Sequence, residues 1–141
     1  GTYSTANITG SRSGGGIASA WAVMSYLGED GYLKLVGGIL DARDRMVSGI
    51  GAIDGLEVNG EPHAYILTFG SDALDIYAVA EGMEACGWLS GLGLEPDSIH
   101  LFLNGSHAPS VDGYLADLAS VVEEVRAGRI VSTGARAVYT T

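Results

Sequence analysis

Basic residues, cysteine and long apolar runs are all scarce in this sequence. Lys and Arg together number 7 against 17 Asp and Glu, which gives a formal net charge of -10 at pH 7. An acidic surface repels phosphate backbones and anionic lipid headgroups, so nucleic acid and membrane are not expected as partners. The apolar runs are far shorter than the roughly 20 residues of a membrane-spanning helix. Because Cys86 stands alone and no basic-then-apolar leader is visible, we expect a cytoplasmic protein.

Glycine, in contrast, is abundant, with 22 residues among 141. Average usage is about 7%, so many turns with positive φ or close backbone contacts are expected. The first 16 residues are polar and glycine-rich and have no apolar core of their own. This start predicts a chain that begins in the middle of a larger protein.

The spacing of apolar residues predicts two helices in the first third of the chain. Ile17, Trp21, Met24 and Leu27 recur at steps of three and four residues, and Gly28 should end this helix. An apolar stripe from residue 32 to residue 50 predicts a second, long amphipathic helix. Its paired glycines, at positions 37 and 38, predict that another backbone approaches closely there.

After residue 55 the apolar period changes and predicts strands alternating with helices. Residues 56–69 contain two β-rich segments around a turn at 59–62 and predict a hairpin. Asp72 or Asp75 can cap a following helix that ends near Gly87. Residues 88–90 and 99–103 predict two further short strands.

Ser110 is the predicted N-cap of a last helix that ends at Gly128. Consecutive strands joined by short turns favour an α+β fold, with a small, mainly antiparallel sheet and helices on one face. We predict a loop and interface helices over residues 1–54, a small α+β domain over 55–129, and a tail over 130–141.

The stretch Gly10-Ser11-Arg12 runs into the first predicted helix and has the composition of an anion site. A helix start presents unpaired N–H groups, glycine lets a ligand approach the backbone, and Arg12 adds a forked cation. In the alternative interpretation, Ser11 or Ser13 only caps the helix and Arg12 pairs with a distant carboxylate. Physical reasoning alone leaves these two interpretations equally supported.

An ordered set of motifs runs along the chain: TANITGSRSG at 5–14, WAVM at 21–24, LGEDGY at 27–32, DIYAV at 75–79, GW at 87–88, Pro96 and His100. This set resembles the sphingosine-1-phosphate lyases, and methanogen tyrosine decarboxylases have a related Gly-Thr-Arg-Ser-Gly loop. Ala6 and Ser13 stand where the lyases commonly have proline. These two departures weaken what the resemblance implies about the substrate more than what it implies about the cofactor.

The resemblance implies a C-terminal portion of a pyridoxal 5'-phosphate (PLP) enzyme of fold type I, namely a carbon–carbon lyase or an amino-acid decarboxylase. It assigns Gly10, Ser11 and Arg12 to a loop near a dimer interface that faces cofactor phosphate or substrate. The tail resembles a terminal segment whose tyrosine, here Tyr139, lies near the substrate; an exposed tyrosine without function is the alternative. Thr140 replaces a glycine of that segment.

The covalent PLP linkage needs a lysine, and the only lysine is Lys34. It lies in a helical segment without the histidine-lysine context of these families, so a solvated surface charge is expected. We therefore predict no catalytic residue in this chain, an inactive isolated chain, and a lysine-bearing N-terminal portion or partner chain in a homo- or hetero-oligomer.

Other candidate chemistries have less support. The three histidines, at positions 63, 100 and 107, lack metal-ligand spacing, so no metal site is expected. His100 within a strand is expected to be a hydrogen-bonded structural residue. The serines near Arg12 have no neighbouring histidine that could activate a nucleophile.

Two alternatives to an enzyme portion remain at this point. The chain could be a noncatalytic interaction or regulatory subunit that keeps the fold and its association surface. It could also be a free-standing acidic binding domain. A lysine-bearing polypeptide encoded immediately upstream, or cut from this chain, would favour the enzyme over the subunit. An isolated chain that is monomeric, stable and indifferent to PLP would favour the binding domain.

Overall fold

The computed structural model describes residues 13–134, which fall into two compact units that divide after Leu35. The elements in chain order are helix α1 (Gly14–Gly51), strands β1 (Glu57–Val58) and β2 (Ile66–Gly70), helix α2 (Ile76–Ala85), strands β3 (Gly91–Gly93) and β4 (Ser98–Phe102), a 3₁₀ helix (Ala108–Ser110) and helix α3 (Val111–Arg126). The predicted order of helices and strands is confirmed.

Helix α1 is interrupted where the sequence predicts a break. Gly28 has φ 60° and ψ -176°, which lies outside the helical region. Positive φ is open to glycine at little cost, whereas a side chain would be strained there. The helix therefore consists of two segments, residues 14–27 and 29–51.

The four strands form one antiparallel sheet in the order β1-β2-β4-β3. The register places Leu67 opposite Leu101 and Phe69 opposite Ile99, so these four buried side chains share one face of the sheet. The core beneath this face also contains Met46 and other buried side chains of all three helices. The α+β fold with helices on one face is confirmed.

The second unit has a core of its own. Its most completely buried large side chains come from the sheet and from all three helices, and they are Phe69, Ile50, Met83, Ile99, Leu118, Val79 and Val122. A unit with a separate apolar core meets the main requirement for independent folding.

The start of helix α2 confirms one of the two predicted caps. Asp75 has an extended backbone, and its carboxylate accepts hydrogen bonds from the N–H groups of Tyr77 at 3.0 Å and Ala78 at 3.3 Å. Ser110 occupies the predicted N-cap position of α3 but makes no side-chain capping bond. It also ends the preceding 3₁₀ helix, with φ -96° and ψ -6°, whereas a capping residue is usually extended.

The strand predicted at residues 88–90 is also wrong, because β3 begins only at Gly91. Trp88 is held by helix α3 instead. Its ring N–H donates to Asp117 at 2.7 Å, and its ring meets that of Tyr114 edge-on. The apolar signal of Trp88 thus reflects packing on a helix and not pairing in the sheet.

The close contact predicted at the paired glycines of α1 is not found within the described residues. No described atom lies within 4 Å of a Cβ built at Gly37 or Gly38. Helices α2 and α3 approach closely at another glycine, where a Cβ on Gly82 would lie 2.5 Å from Cγ1 of Val121. Gly82 therefore sets the spacing of these two helices.

We expect Gly82→Ala to destabilise the second unit by about 1–3 kcal/mol, because the added methyl group overlaps Val121. Gly113→Ala in α3 is the matched control, since the nearest atom to its Cβ is 3.8 Å away. It should stabilise the helix by about 0.5–1 kcal/mol. Urea unfolding followed by Trp88 fluorescence in a Trp21→Phe background measures both effects. Equal stability of the two variants would show that the helices do not meet at Gly82.

Candidate functional site

The residues predicted to face cofactor or substrate, Gly10, Ser11, Arg12 and Tyr139, lie outside the described range of 13–134. Their roles stay predictions. The structure does describe the two segments that lead to them, which are the start of helix α1 and the chain that follows helix α3.

The first segment of α1 begins directly after the predicted loop. The hydroxyl of Ser13 accepts a hydrogen bond from the N–H of Gly15 at 3.3 Å, so Ser13 provides the local cap. Residues 14–27 contain no charged side chain. The segment is therefore unusual for a helix that faces water.

Large apolar side chains project from more than one side of this segment. Trp21 is 67% exposed, and Ile17 and Met24 lie on the same stripe, whereas Val23 and Tyr26 are exposed elsewhere on the helix. An uncharged helix that is apolar on all sides is normally buried in an interior or an interface. None of the helices in the described range is long and apolar enough to cross a membrane.

The chain that leads to Tyr139 is held by one carboxylate of helix α2. Glu81 accepts hydrogen bonds at 3.0 Å from both the N–H and the hydroxyl of Thr133, and one at 3.2 Å from the hydroxyl of Ser132. The backbone N–H of Thr133 makes the largest contribution to holding the pKa of Glu81 below its usual value, whereas burial opposes it. The N–H of Gly134 in turn donates to the hydroxyl of Ser132 at 3.2 Å, so both contacts lie directly before residues 135–141.

Every arginine in the described range is already paired with a carboxylate. The pairs are Arg43 with Asp44, Arg45 with Asp112, Arg126 with Asp54 and Glu123, and Arg129 with Glu124. Lys34 lies exposed on α1 and makes no ion pair with the described residues. Arg12 and Arg136 lie outside the described range.

Two of the family-like motifs have structural roles in this fold. Asp75 caps α2, and the hydroxyl of Tyr77 hydrogen bonds to the carbonyl of Gly93 at 2.9 Å and to Asp97 at 2.7 Å. Tyr77 thereby ties α2 to the turn between β3 and β4. Trp88 joins the end of α2 to α3 through Asp117. These residues position elements and do not converge on a common site.

A cleft of about 210 Å³ lies between the end of β4, the segment after α2 and the start of α3. Its lining contains no Asp, Glu, Lys or Arg. The hydroxyl oxygens of Ser90 and Tyr114 are buried there close to each other. Burial raises the pKa of Tyr114 to about 12, and the nearby Ser90 hydroxyl offsets only part of this effect.

Two histidines line the same cleft. His100 is partly exposed and makes no side-chain hydrogen bond with the described residues, so its role as a hydrogen-bonded structural histidine stays a prediction. It pairs with Thr68 across β2 and β4, and this places it on the sheet face opposite the core. Nδ1 of His107 accepts from the N–H of Asn104 at 2.9 Å. Within residues 13–134, no three His, Cys, Asp or Glu side chains could hold a metal ion.

Comparisons with known proteins connect this fold to a lyase. No family model matches the chain. A sphingosine-1-phosphate lyase of Arabidopsis thaliana is 42% identical over 134 residues, which is 95% of this chain and 25% of that protein. The chain thus spans about a quarter of the length of this curated relative.

The chain is also similar to a lyase of known structure and, over a shorter stretch, to a decarboxylase. The sphingosine-1-phosphate lyase of Burkholderia pseudomallei matches with a TM-score of 0.83 and 36% identity, over 90% of this chain and 29% of that one. A probable L-tyrosine/L-aspartate decarboxylase of Methanothermobacter thermautotrophicus is 29% identical over 96 residues, which is 68% of this chain and 26% of that protein. The lyases are thus similar over more of the chain.

We expect Glu81→Ala to speed trypsin cleavage after Arg136, because it removes the contacts that hold Ser132 and Thr133. Glu84→Ala is the matched control, since Glu84 is an exposed acid of the same helix. Cleavage rates are measured by mass spectrometry. Because the pKa of Glu81 is lowered, the anchor should persist at neutral pH and weaken only as the pH falls through that lowered pKa. Equal cleavage rates in the two variants would contradict the anchor.

Proposed function

Because this chain is homologous to a C-terminal portion of the sphingosine-1-phosphate lyases, we propose that it is the corresponding part of a PLP-dependent carbon–carbon lyase. The observation that carries this proposal is similarity along nearly the whole chain, in sequence and in fold. A phosphorylated amino alcohol is the proposed substrate class. An amino acid is less favoured because the decarboxylase is similar over a shorter stretch.

Among the described residues, Lys34 is exposed on helix α1, the four arginines are paired with carboxylates, and the lining of the cleft near Tyr114 contains no Lys or Arg. PLP acts as an electron sink when it is bound to a lysine and held by its phosphate and ring nitrogen. We therefore place the lysine on another chain or on another segment of the same protein, and the isolated chain should be inactive.

In this proposal, Gly10, Ser11 and Arg12 contribute to that site as a loop. Glycine lets the backbone approach an anion, and the guanidinium of Arg12 can make two parallel hydrogen bonds to a phosphate or carboxylate. The position of Arg12 directly before the uncharged start of helix α1 supports this assignment. Loop and cofactor together would bind and orient the substrate.

The proposed partner surface is the uncharged helix segment, residues 14–27. Its exposed apolar side chains would be covered by the lysine-bearing portion or by a second copy of the protein. Glu81 would act from a distance by directing the chain toward Tyr139, the residue proposed to lie near the substrate. Activity would thus depend on an assembled protein.

We expect Arg12→Lys and Arg12→Ala each to lower cofactor retention or turnover by about tenfold or more in the assembled protein. Lysine keeps the charge but loses the forked geometry, and a factor of ten corresponds to about 1.4 kcal/mol. A solvent-exposed ion pair would instead cost no more than about 1 kcal/mol. Arg129→Lys is the control, since Arg129 is paired with Glu124 on the surface. Normal cofactor retention and turnover in both Arg12 variants would remove Arg12 from the site.

A further inference from the structure

The turn between strand β4 and the 3₁₀ helix is closed by two side-chain acceptors. Oδ1 of Asn104 accepts hydrogen bonds from the N–H of Ser106 at 2.9 Å and from its hydroxyl at 2.6 Å. Nδ1 of His107 accepts from the N–H of Asn104 at 2.9 Å, and the N–H of His107 donates to the carbonyl of Asn104 at 3.1 Å. Asn104 and His107 thus close the 104–107 turn on each other from both sides.

The 104–107 turn connects the sheet to the helix layer. The last sheet bond before it runs from the N–H of Leu103 to the carbonyl of Tyr65 at 2.8 Å. Directly after it, the carbonyl of His107 accepts from the N–H of Ser110 at 2.9 Å and begins the 3₁₀ helix. Leu103 and His107 also line the cleft near Tyr114, so the turn contributes to one wall of that cleft.

Only one of the two acceptors can change its charge in the mildly acidic range. The amide oxygen of Asn104 accepts at any pH from about 5 to 8, whereas histidine is the side chain that gains a proton over this range. A neutral imidazole that accepts at Nδ1 carries its proton at Nε2, whereas a protonated imidazole has N–H groups at both nitrogens and cannot accept. Protonation of His107 would therefore place an N–H against the N–H of Asn104.

The titratable and charged groups around this turn come from three elements. His100 of β4 and Tyr114 of α3 line the same cleft as His107, and burial raises the pKa of Tyr114 to about 12, so its hydroxyl keeps its proton. Arg45 of α1 donates to the carbonyl of Ala108 at 3.3 Å and is paired with Asp112 of α3. The described lining of the cleft contains no carboxylate that could accept from a protonated His107 and restore the turn.

We propose that His107 makes the 104–107 turn a pH-sensitive latch, closed while the imidazole is neutral and released when it is protonated. Because the contact needs the neutral ring, its contribution is complete at about pH 8 and is lost as the pH falls toward about 5. One exposed hydrogen bond contributes little to global stability, so release opens the turn and the cleft wall locally while the core stays folded. The latch does not depend on a bound cofactor or on Arg12.

Hydrogen exchange of the complete protein, resolved to single amides by mass spectrometry and divided by the intrinsic rate at each pH, tests the latch at the N–H of Asn104. Between about pH 8 and pH 5, the wild-type protein should lose roughly threefold to tenfold of its protection there, the size expected for one hydrogen bond. His107→Asn places an amide oxygen near the position of Nδ1 and should keep its protection at both pH values. His107→Ala removes the acceptor and should show low protection at both.

His100→Asn is the matched control, because His100 lines the same cleft and accepts no hydrogen bond from the described residues of the turn. This variant should respond to pH as the wild-type protein does. Unchanged wild-type protection, an equal loss in His107→Asn, or a response abolished by His100→Asn would each overturn the proposal. A simultaneous loss of protection across β2 and β4 would mean global unfolding and would overturn the local latch as well.

Discussion

The packing of three helices against one face of the antiparallel sheet is the constraint on which the rest of this structure depends. Leu67, Phe69, Ile99 and Leu101 fill that face from the sheet, and the helices supply the opposing layer. Burial of apolar surface on this scale is the main driving force for folding. Because this layer occupies only one sheet face, Phe102 and Leu89 remain exposed beside the cleft.

The distribution of charge also separates surface whose arginines are ion-paired from surface that is apolar and uncharged. The four described arginines are used in ion pairs, including Arg45 with Asp112 and Arg126 with Asp54, which join distant parts of the second unit. The helix segment at 14–27 has no charge at all. The second unit thus has its own apolar core and paired arginines. The helix segment at 14–27 and the cleft, in contrast, present apolar surface suited to a partner.

Local sequence patterns predicted most of the elements but not the cleft. Periodicity located the helices, and Gly28 and Asp75 were identified from the backbone demands of a helix break and an N-cap. The strand at Trp88 was predicted wrongly because a large aromatic residue favours a strand and a buried helix contact equally. The pairing of Glu81 with Thr133 spans 52 residues, and the cleft joins segments far apart in sequence, so neither leaves a local signal.

We propose that this chain belongs to a PLP lyase whose lysine lies elsewhere. Borohydride reduction of the complete protein in the presence of PLP fixes the cofactor to its lysine, and peptide mapping then locates the label. We predict stoichiometric label on a lysine outside these 141 residues and none on Lys34. Specific, stoichiometric label on Lys34 would contradict the claim.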